Sequence, residues 1–271
     1  MVRVLHVIHT LFCPFLSQPN TCRKCYVRYN IDRGTLKPGR LDLSLLEDYI
    51  ARLEPEWVAL GGGEPLADFE HTVRTIELAK KYSVKVEVTT SGYNTERLTK
   101  LAELVDHVQL SVGGDRYVNV EALELMSKLG RSWGVNILLS DELVERLPSY
   151  VEYIAKKYRP RQMLPIVPRI YRLSPEAFKK YVAQTPVLLA LSVKHSFSLL
   201  FDCVTAQALF GYEPPDDEDL VVLPSGKLAI CSTYPHIKSH RECPDAKYYR
   251  GLTLTHNIGG QVKNRNLELF L

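Results

Sequence analysis

Val84-Lys85-Val86-Glu87-Val88-Thr89 alternates apolar and polar residues without a break. Successive side chains of an extended strand point to opposite faces, so the valines share one face and Lys85, Glu87 and Thr89 the other. Val108-Gln109-Leu110-Ser111-Val112 repeats the pattern, with Gln109 and Ser111 opposite the apolar face. Amphipathic helical segments separate these runs, which is how a parallel sheet built from βα units reads. If the valine faces pack under helices, Lys85, Glu87, Thr89, Gln109 and Ser111 turn into a barrel lumen. A purely structural barrel fills its lumen with branched apolar side chains, so this polar lining predicts a cavity that holds a ligand. An open sheet with one wet face would give the same alternation.

The flanking segments extend the repeat. Residues 2–11 are a first apolar run; Leu45, Leu46, Tyr49, Ile50 and Leu53 share a helical face behind Asp42 as N-cap. Trp57 to Leu60 form a short strand, and the next helix places Phe69, Val73, Ile76 and Ala79 on one side. A helix at 121–131, a strand at 135–139, a helix at 141–158 and a strand at 162–167 follow. The expected fold is α/β, a partial, laterally open (β/α)6 TIM-like barrel with fewer units than a closed barrel requires. The pattern weakens after Arg172, so residues 1–175 read as the barrel core and 176–271 as a small appendage containing a β-hairpin. Val221 to Cys231 supplies that hairpin, with Pro224-Ser225-Gly226 as its turn. Trp57 and Trp133 read as core, and His195 as a surface or capping residue.

With 271 residues and 45% hydrophobic content, the chain can bury a sizeable core. Its 34 Lys+Arg and 31 Asp+Glu leave a formal charge of +3, too balanced to indicate nucleic acid, so an RNA substrate stays open as an alternative. Met1 to His9 lacks the pattern of a secretion signal, and no apolar run has the length of a membrane span. A soluble, cytoplasmic protein with no membrane partner is expected. In a reducing compartment six cysteines, three early and three late, read as metal ligands or reactive thiols before disulfides.

Cys13, Cys22 and Cys25 follow the first strand with eight and then two residues between them. The close pair can share one metal centre and Cys13 can return to it, leaving one iron of a cubane without a protein ligand. His6 or His9 completing a zinc site is the competing reading, and with it a zinc-stabilised binding module that is no enzyme. Leu60-Gly61-Gly62-Gly63-Glu64-Pro65 ends the second strand. Its glycines let backbone groups approach a ligand, and Glu64 can accept hydrogen bonds from an ammonium group, although such a run is also an ordinary turn.

Cysteine trio, Gly-Gly-Glu-Pro, Thr89-Thr90-Ser91-Gly92 and Val108-Gln109-Leu110-Ser111-Val112-Gly113-Gly114 occur in that order over residues 1–170. Together they resemble the radical S-adenosylmethionine superfamily. The usual cysteine spacing there is three and two residues; Lys24 stands where an aromatic residue is usual, with Tyr26 following; Gly113 replaces a common Asp, with Asp115 two residues on.

The resemblance implies that Cys13, Cys22 and Cys25 ligate a [4Fe-4S] cluster whose open iron is chelated by S-adenosylmethionine. Reductive cleavage then yields a 5′-deoxyadenosyl radical, which abstracts a substrate hydrogen. Gly62, Gly63 and Glu64 would orient the methionine end; Ser111, Thr89 and Ser91 would meet ribose or carboxylate; Tyr26 and the last strand, at Ile166, would complete the cofactor contacts. It also implies a ferredoxin- or flavodoxin-like electron donor and a peptide or small-metabolite substrate. Strand alternation adds Glu87 and Gln109 as catalytic candidates, with a self-satisfied polar cluster as the alternative. Cys203, Cys231 and Cys243 resemble the twitch or SPASM appendages that bind a second, auxiliary iron–sulfur cluster, and Asn257-Ile258-Gly259 is similar to a segment found there. Cys231, His236, His240 and Cys243 spaced for zinc, or ordinary buried thiols, are the alternatives.

Overall fold

The structure, a computed structural model, describes residues 2–18, 22, 25–113 and 119–254. Lys24, Gly114, Asp115 and Asn257-Ile258-Gly259 lie outside them. The repeat begins with β1 (Val4–Thr10), the cysteine loop, α1 (Tyr26–Asp32) and α2 (Leu43–Leu53). It continues through β2 (Trp57–Gly62), α3 (Phe69–Lys81), β3 (Lys85–Thr90), α4 (Thr95–Leu104), β4 (His107–Val112) and α5 (Val120–Leu129). β5 (Trp133–Leu138), α6 (Asp141–Glu145), α7 (Leu147–Tyr158) and β6 (Gln162–Ile166) complete the six units. The remainder is α8 (Pro175–His195), β7 (Ser198–Leu199), α9 (Cys203–Phe210), the hairpin β8 (Asp219–Val222) and β9 (Leu228–Ala229), and α10 (Pro244–Leu254).

Among the described residues all strands join one sheet in the order β7-β6-β5-β4-β3-β2-β1-β8-β9. Every neighbour pair is parallel except β8 with β9, so each βα crossover advances the sheet by one strand. The segment after residue 175 extends this sheet at both margins: β7 pairs with β6, and β8 pairs with β1. Residues of β1, β3, β4, β5, β6 and β8 all line one cavity, so the sheet curls around it. The fold is a partial (β/α)6 barrel with a hairpin appendage.

Val86, Val88, Val108, Leu110, Val58 and Leu60 face outward and are buried under Ile50, Ile76, Leu98, Leu101, Met126 and Ile154 of the helical layer. Each such side chain contributes about 1.5–3 kcal/mol on burial, which drives the curl to close the helices over the sheet. Asp42 caps α2 as expected, accepting from the Ser44 amide at 2.9 Å.

Three expectations change. The helix expected over 141–158 breaks at Arg146, because Pro148 has no amide to continue the ladder and starts α7 instead. The buried face of α3 is Thr72, Thr75, Ile76 and Ala79, while Phe69 and Val73 flank it half-buried. Lys85 does not enter the lumen: it is exposed, with its ammonium 5.4 Å from the ring centroid of half-buried Trp57, where it keeps its hydration.

Candidate functional site

A cavity of about 520 Å³ opens at the carboxyl ends of the strands, the face on which βα barrels assemble their sites. Its first wall is the cysteine loop and the strand ends that pack on it. Cys13, Cys22 and Cys25 all border the cavity. Cys25 caps α1, and its amide donates to the Cys22 carbonyl at 3.1 Å, which folds the close pair into a single turn. Burial pushes the Cys13 thiol up to about 12, a penalty that a bound cation would reverse.

The glycines of β2 exist for backbone contact. A Cβ on Gly63 would lie 2.5 Å from the Phe12 carbonyl oxygen and 3.0 Å from that of Thr10; one on Gly62, where φ is +105°, would lie 2.4 Å from Ile8. With no side chain on Gly63 to block the approach, the amides of Gly63 and Glu64 donate to the carbonyls of Thr10 and Phe12 at 2.9 and 2.8 Å, tying the cysteine loop to the strand end. Glu64 is 3% exposed, and its carboxylate is filled from within the chain. The Leu66 amide and Thr90 hydroxyl donate to one oxygen; the Ser91 amide (2.9 Å) and hydroxyl (2.6 Å) donate to the other. Glu64 borders the cavity but serves here as the clasp joining the ends of β2 and β3.

Beneath the loop lies a network that no sequence motif marks. Asp68 accepts from the Thr10 hydroxyl at 2.9 Å and from Arg40 at 2.6 and 2.7 Å, and the Phe12 amide donates to Thr10 Oγ1. His9, fully buried and hydrogen-bonded to Thr72 at 2.8 Å, is held down to about 3 by burial. These contacts fix the chain where it leaves β1 for Cys13.

Gly62, Gly63, Thr89, Ser91, Ser111, Ile166 and Tyr26 all border the same cavity as the three thiols. Asn136, opposite Ser111 across the β4–β5 ladder, joins them unforeseen. Glu87 and Gln109 project one step deeper than Thr89 and Ser111 and do not border the cavity. Burial alone raises Glu87 to about 7. Gln109 is 2% exposed and lies across Gly134, where a Cβ would sit 2.1 Å from its Oε1. Together they floor the lumen.

A second stretch of wall comes from the last third of the chain. Cys203 and Cys231 border the cavity, whereas Cys243 is 3% exposed in the apolar core. Cys203 begins α9 behind the N-cap Asp202, and its sulfur accepts from Arg169 Nη2 at 3.1 Å. Burial raises both cavity thiols, opposed at each by the Arg169 charge and at Cys231 also by the Thr233 and Tyr234 amides.

Among the described residues, no three His, Cys, Asp or Glu side chains converge as ligands of a single metal ion. A tetrahedral zinc site needs such convergence, whereas a cubane presents its irons at separate corners to thiolates spread around a cavity. Three thiols bordering one cavity are the donor chemistry that an iron–sulfur cluster takes.

Fold and cavity together define a curled βα sheet with a cavity at its strand ends. The same fold is found in SuiB of Streptococcus suis, solved with the precursor peptide SuiA and, in another crystal, with S-adenosylmethionine. The match to the peptide complex has a TM-score of 0.62 at 10% identity over 97% of this chain and 68% of SuiB. That to the S-adenosylmethionine complex has the same TM-score at 11% identity, over 92% of this chain and 66% of SuiB. The chain thus spans about two thirds of the solved protein's length. No protein-family model and no curated protein matches the sequence. Among the described residues no helix is long and apolar enough to cross a membrane.

Proposed function

We propose that this chain is a radical S-adenosylmethionine enzyme acting on a peptide or small metabolite. The observation that carries the reading is that Cys13, Cys22 and Cys25 border one cavity with the glycine strand end, Ser91, Ser111 and Ile166. Likeness to a fold solved with S-adenosylmethionine supports the cofactor, and the SuiA complex favours a peptide among the substrates. When bound, a [4Fe-4S] cluster with one open iron supplies the electron that cleaves S-adenosylmethionine to methionine and a 5′-deoxyadenosyl radical.

The chain's own residues do the rest. Cys13, Cys22 and Cys25 hold the cluster. Gly62 and Gly63 keep the strand end free of side chains, and Glu64 fixes Ser91 beside it for the cofactor's polar groups. Thr89, Ser111 and Asn136 offer hydrogen-bonding groups to the cofactor, and Tyr26 and Ile166 close the wall. Phe15, Leu16, Leu138, Leu164 and Phe201 border the cavity and exclude water from it. Glu87 and Gln109 lie below and act through the floor. Cys203 and Cys231, with Cys243 drawn in behind Cys231, hold a second cluster; the amide and guanidinium donors around their sulfurs support that assignment. A ferredoxin- or flavodoxin-like protein supplies electrons in a cytoplasmic setting.

Anaerobic reconstitution with iron and sulfide, reduction by dithionite and chromatography test the proposal. Methionine and 5′-deoxyadenosine in equal amounts are expected. A fully loaded chain yielding neither refutes it.

A further inference from the structure

Arg169 stands just after β6, and its side chain is 15% exposed at the cavity wall. A guanidinium carries five N–H donors, and buried donors are normally all matched. Among the described residues the one directional bond is to the sulfur of Cys203 at 3.1 Å, and Nε has no partner. Asp202 forms an ion pair with it at 3.6 Å, too long for a hydrogen bond, while its oxygens accept the amides of Thr205 (2.8 Å) and Val167 (3.0 Å). Of the other cavity carboxylates, Glu64 is filled by its four donors and Asp219 is paired through Oδ2 with Arg3 at 3.3 Å.

The backbone is strained to keep Arg169 where it is. Ile170 has φ of +69°, rare for a β-branched residue, and the Tyr171 amide donates to the Arg169 carbonyl at 2.6 Å, closing a tight three-residue turn. Asp245, fully buried on α10, holds that turn by accepting from the Ile170 amide (3.2 Å), Arg172 Nε (2.7 Å) and the Tyr234 hydroxyl (2.6 Å). A strained turn persists only where surrounding structure over-determines it, and such turns gather at ligand sites. The strain here holds a fork-shaped cation with donors to spare at the cavity wall.

We infer that Arg169 is the anchor for a carboxylate carried by the substrate, gripped by its guanidinium at the wall formed by Cys203 and Cys231. This assigns the substrate class of the proposed enzyme, and so rests on that reading. Planar guanidinium and carboxylate match in a charge-assisted fork. The carboxylate belongs either to a peptide, at its terminus or an acidic side chain, or to a small free acid.

The test is calorimetric titration of the reconstituted full-length chain, with S-adenosylmethionine saturating. The probes are the peptide Ala-Ala-Glu-Ala, its glutamine and C-terminal amide counterpart, and free glutamate. At least tenfold tighter binding of a carboxylate probe than of the neutral peptide is expected, falling to within twofold in Arg169→Gln. Arg169→Lys, which keeps the charge and loses the fork, should fall between, and it serves alone if Arg169→Gln does not fold. Preference for the acidic peptide over glutamate makes the source a peptide, and the reverse makes it a small acid; either supports the anchor. Equal binding of charged and neutral probes overturns it, as does an Arg169→Gln chain that loses affinity for S-adenosylmethionine itself, since the partner would then be the cofactor's carboxylate. Carboxylate binding by a chain that releases no 5′-deoxyadenosine would refute the proposed function and leave the anchor standing.

Discussion

The two walls of the cavity are built by different means. The wall carrying Cys13, Cys22 and Cys25 is made of consecutive strand ends, each contributing a short motif, with neighbours in space close in sequence. The wall carrying Arg169, Cys203 and Cys231 is assembled from single residues far apart: Arg169 meets Cys203, and Asp245 reaches back to Ile170 and Arg172. Repetition suits the first wall to the cofactor proposed above. Long-range pairs make the second particular to this chain, as the proposed substrate anchor requires.

Several experiments would break or sharpen that contrast. Cys25→Ser should reduce 5′-deoxyadenosine formation to background by chromatography, whereas Cys231→Ser should lower bound iron to the content of one cluster; loss of all bound iron in either variant would merge the two walls. Glu64→Ala leaves four donors at the β2–β3 clasp without an acceptor, and at about 1–3 kcal/mol per buried unsatisfied group, partly relieved by water, a loss of about 4 kcal/mol in urea unfolding is expected. Gly63→Ala drives a Cβ into the Phe12 carbonyl and should cost about 2–3 kcal/mol. Gly61, with nothing within 4 Å of its would-be Cβ, should accept alanine within about 0.5 kcal/mol. A tolerant Gly63 would mean the loop is not clamped to β2.

The acid response should also come from the first wall. His9 is held at about 3 in the fold against an ordinary 6.5, so below pH 6.5 the unfolded chain binds a proton that the folded chain does not. Its contribution is complete above pH 6.5 and declines as pH falls towards 3, by at most about 2 kcal/mol at pH 5. Urea midpoints at pH 5 and 7 check this: the difference should shrink in His9→Gln.

What the sequence disclosed follows the same division. The alternation through Val84–Thr89, the cysteine spacing and the Pro224-Ser225-Gly226 hairpin are local patterns, and local patterns carry their physics with them. Gly226 indeed closes that turn with φ of +79°, its amide donating to Leu223. The break at Arg146 was legible in Pro148 but outweighed by the helical periodicity around it. Lys85 was misplaced because alternation assigns a face, not how far down the strand the lumen extends. The pairing of β8 with β1 and of two-residue β7 with β6 bridges long stretches of chain and leaves no periodic trace. Arg169, in Val167-Pro168-Arg169-Ile170, belongs to no motif; only the turn held by Asp245 gives it meaning.

The most direct test of the account is the electron paramagnetic resonance spectrum of the reduced, reconstituted chain before and after adding S-adenosylmethionine. If Cys13, Cys22 and Cys25 leave one iron open to the cofactor, the cluster signal shifts on addition, and the shift disappears in Cys13→Ser. A spectrum indifferent to S-adenosylmethionine, from a chain carrying its full iron and sulfide, would contradict the account.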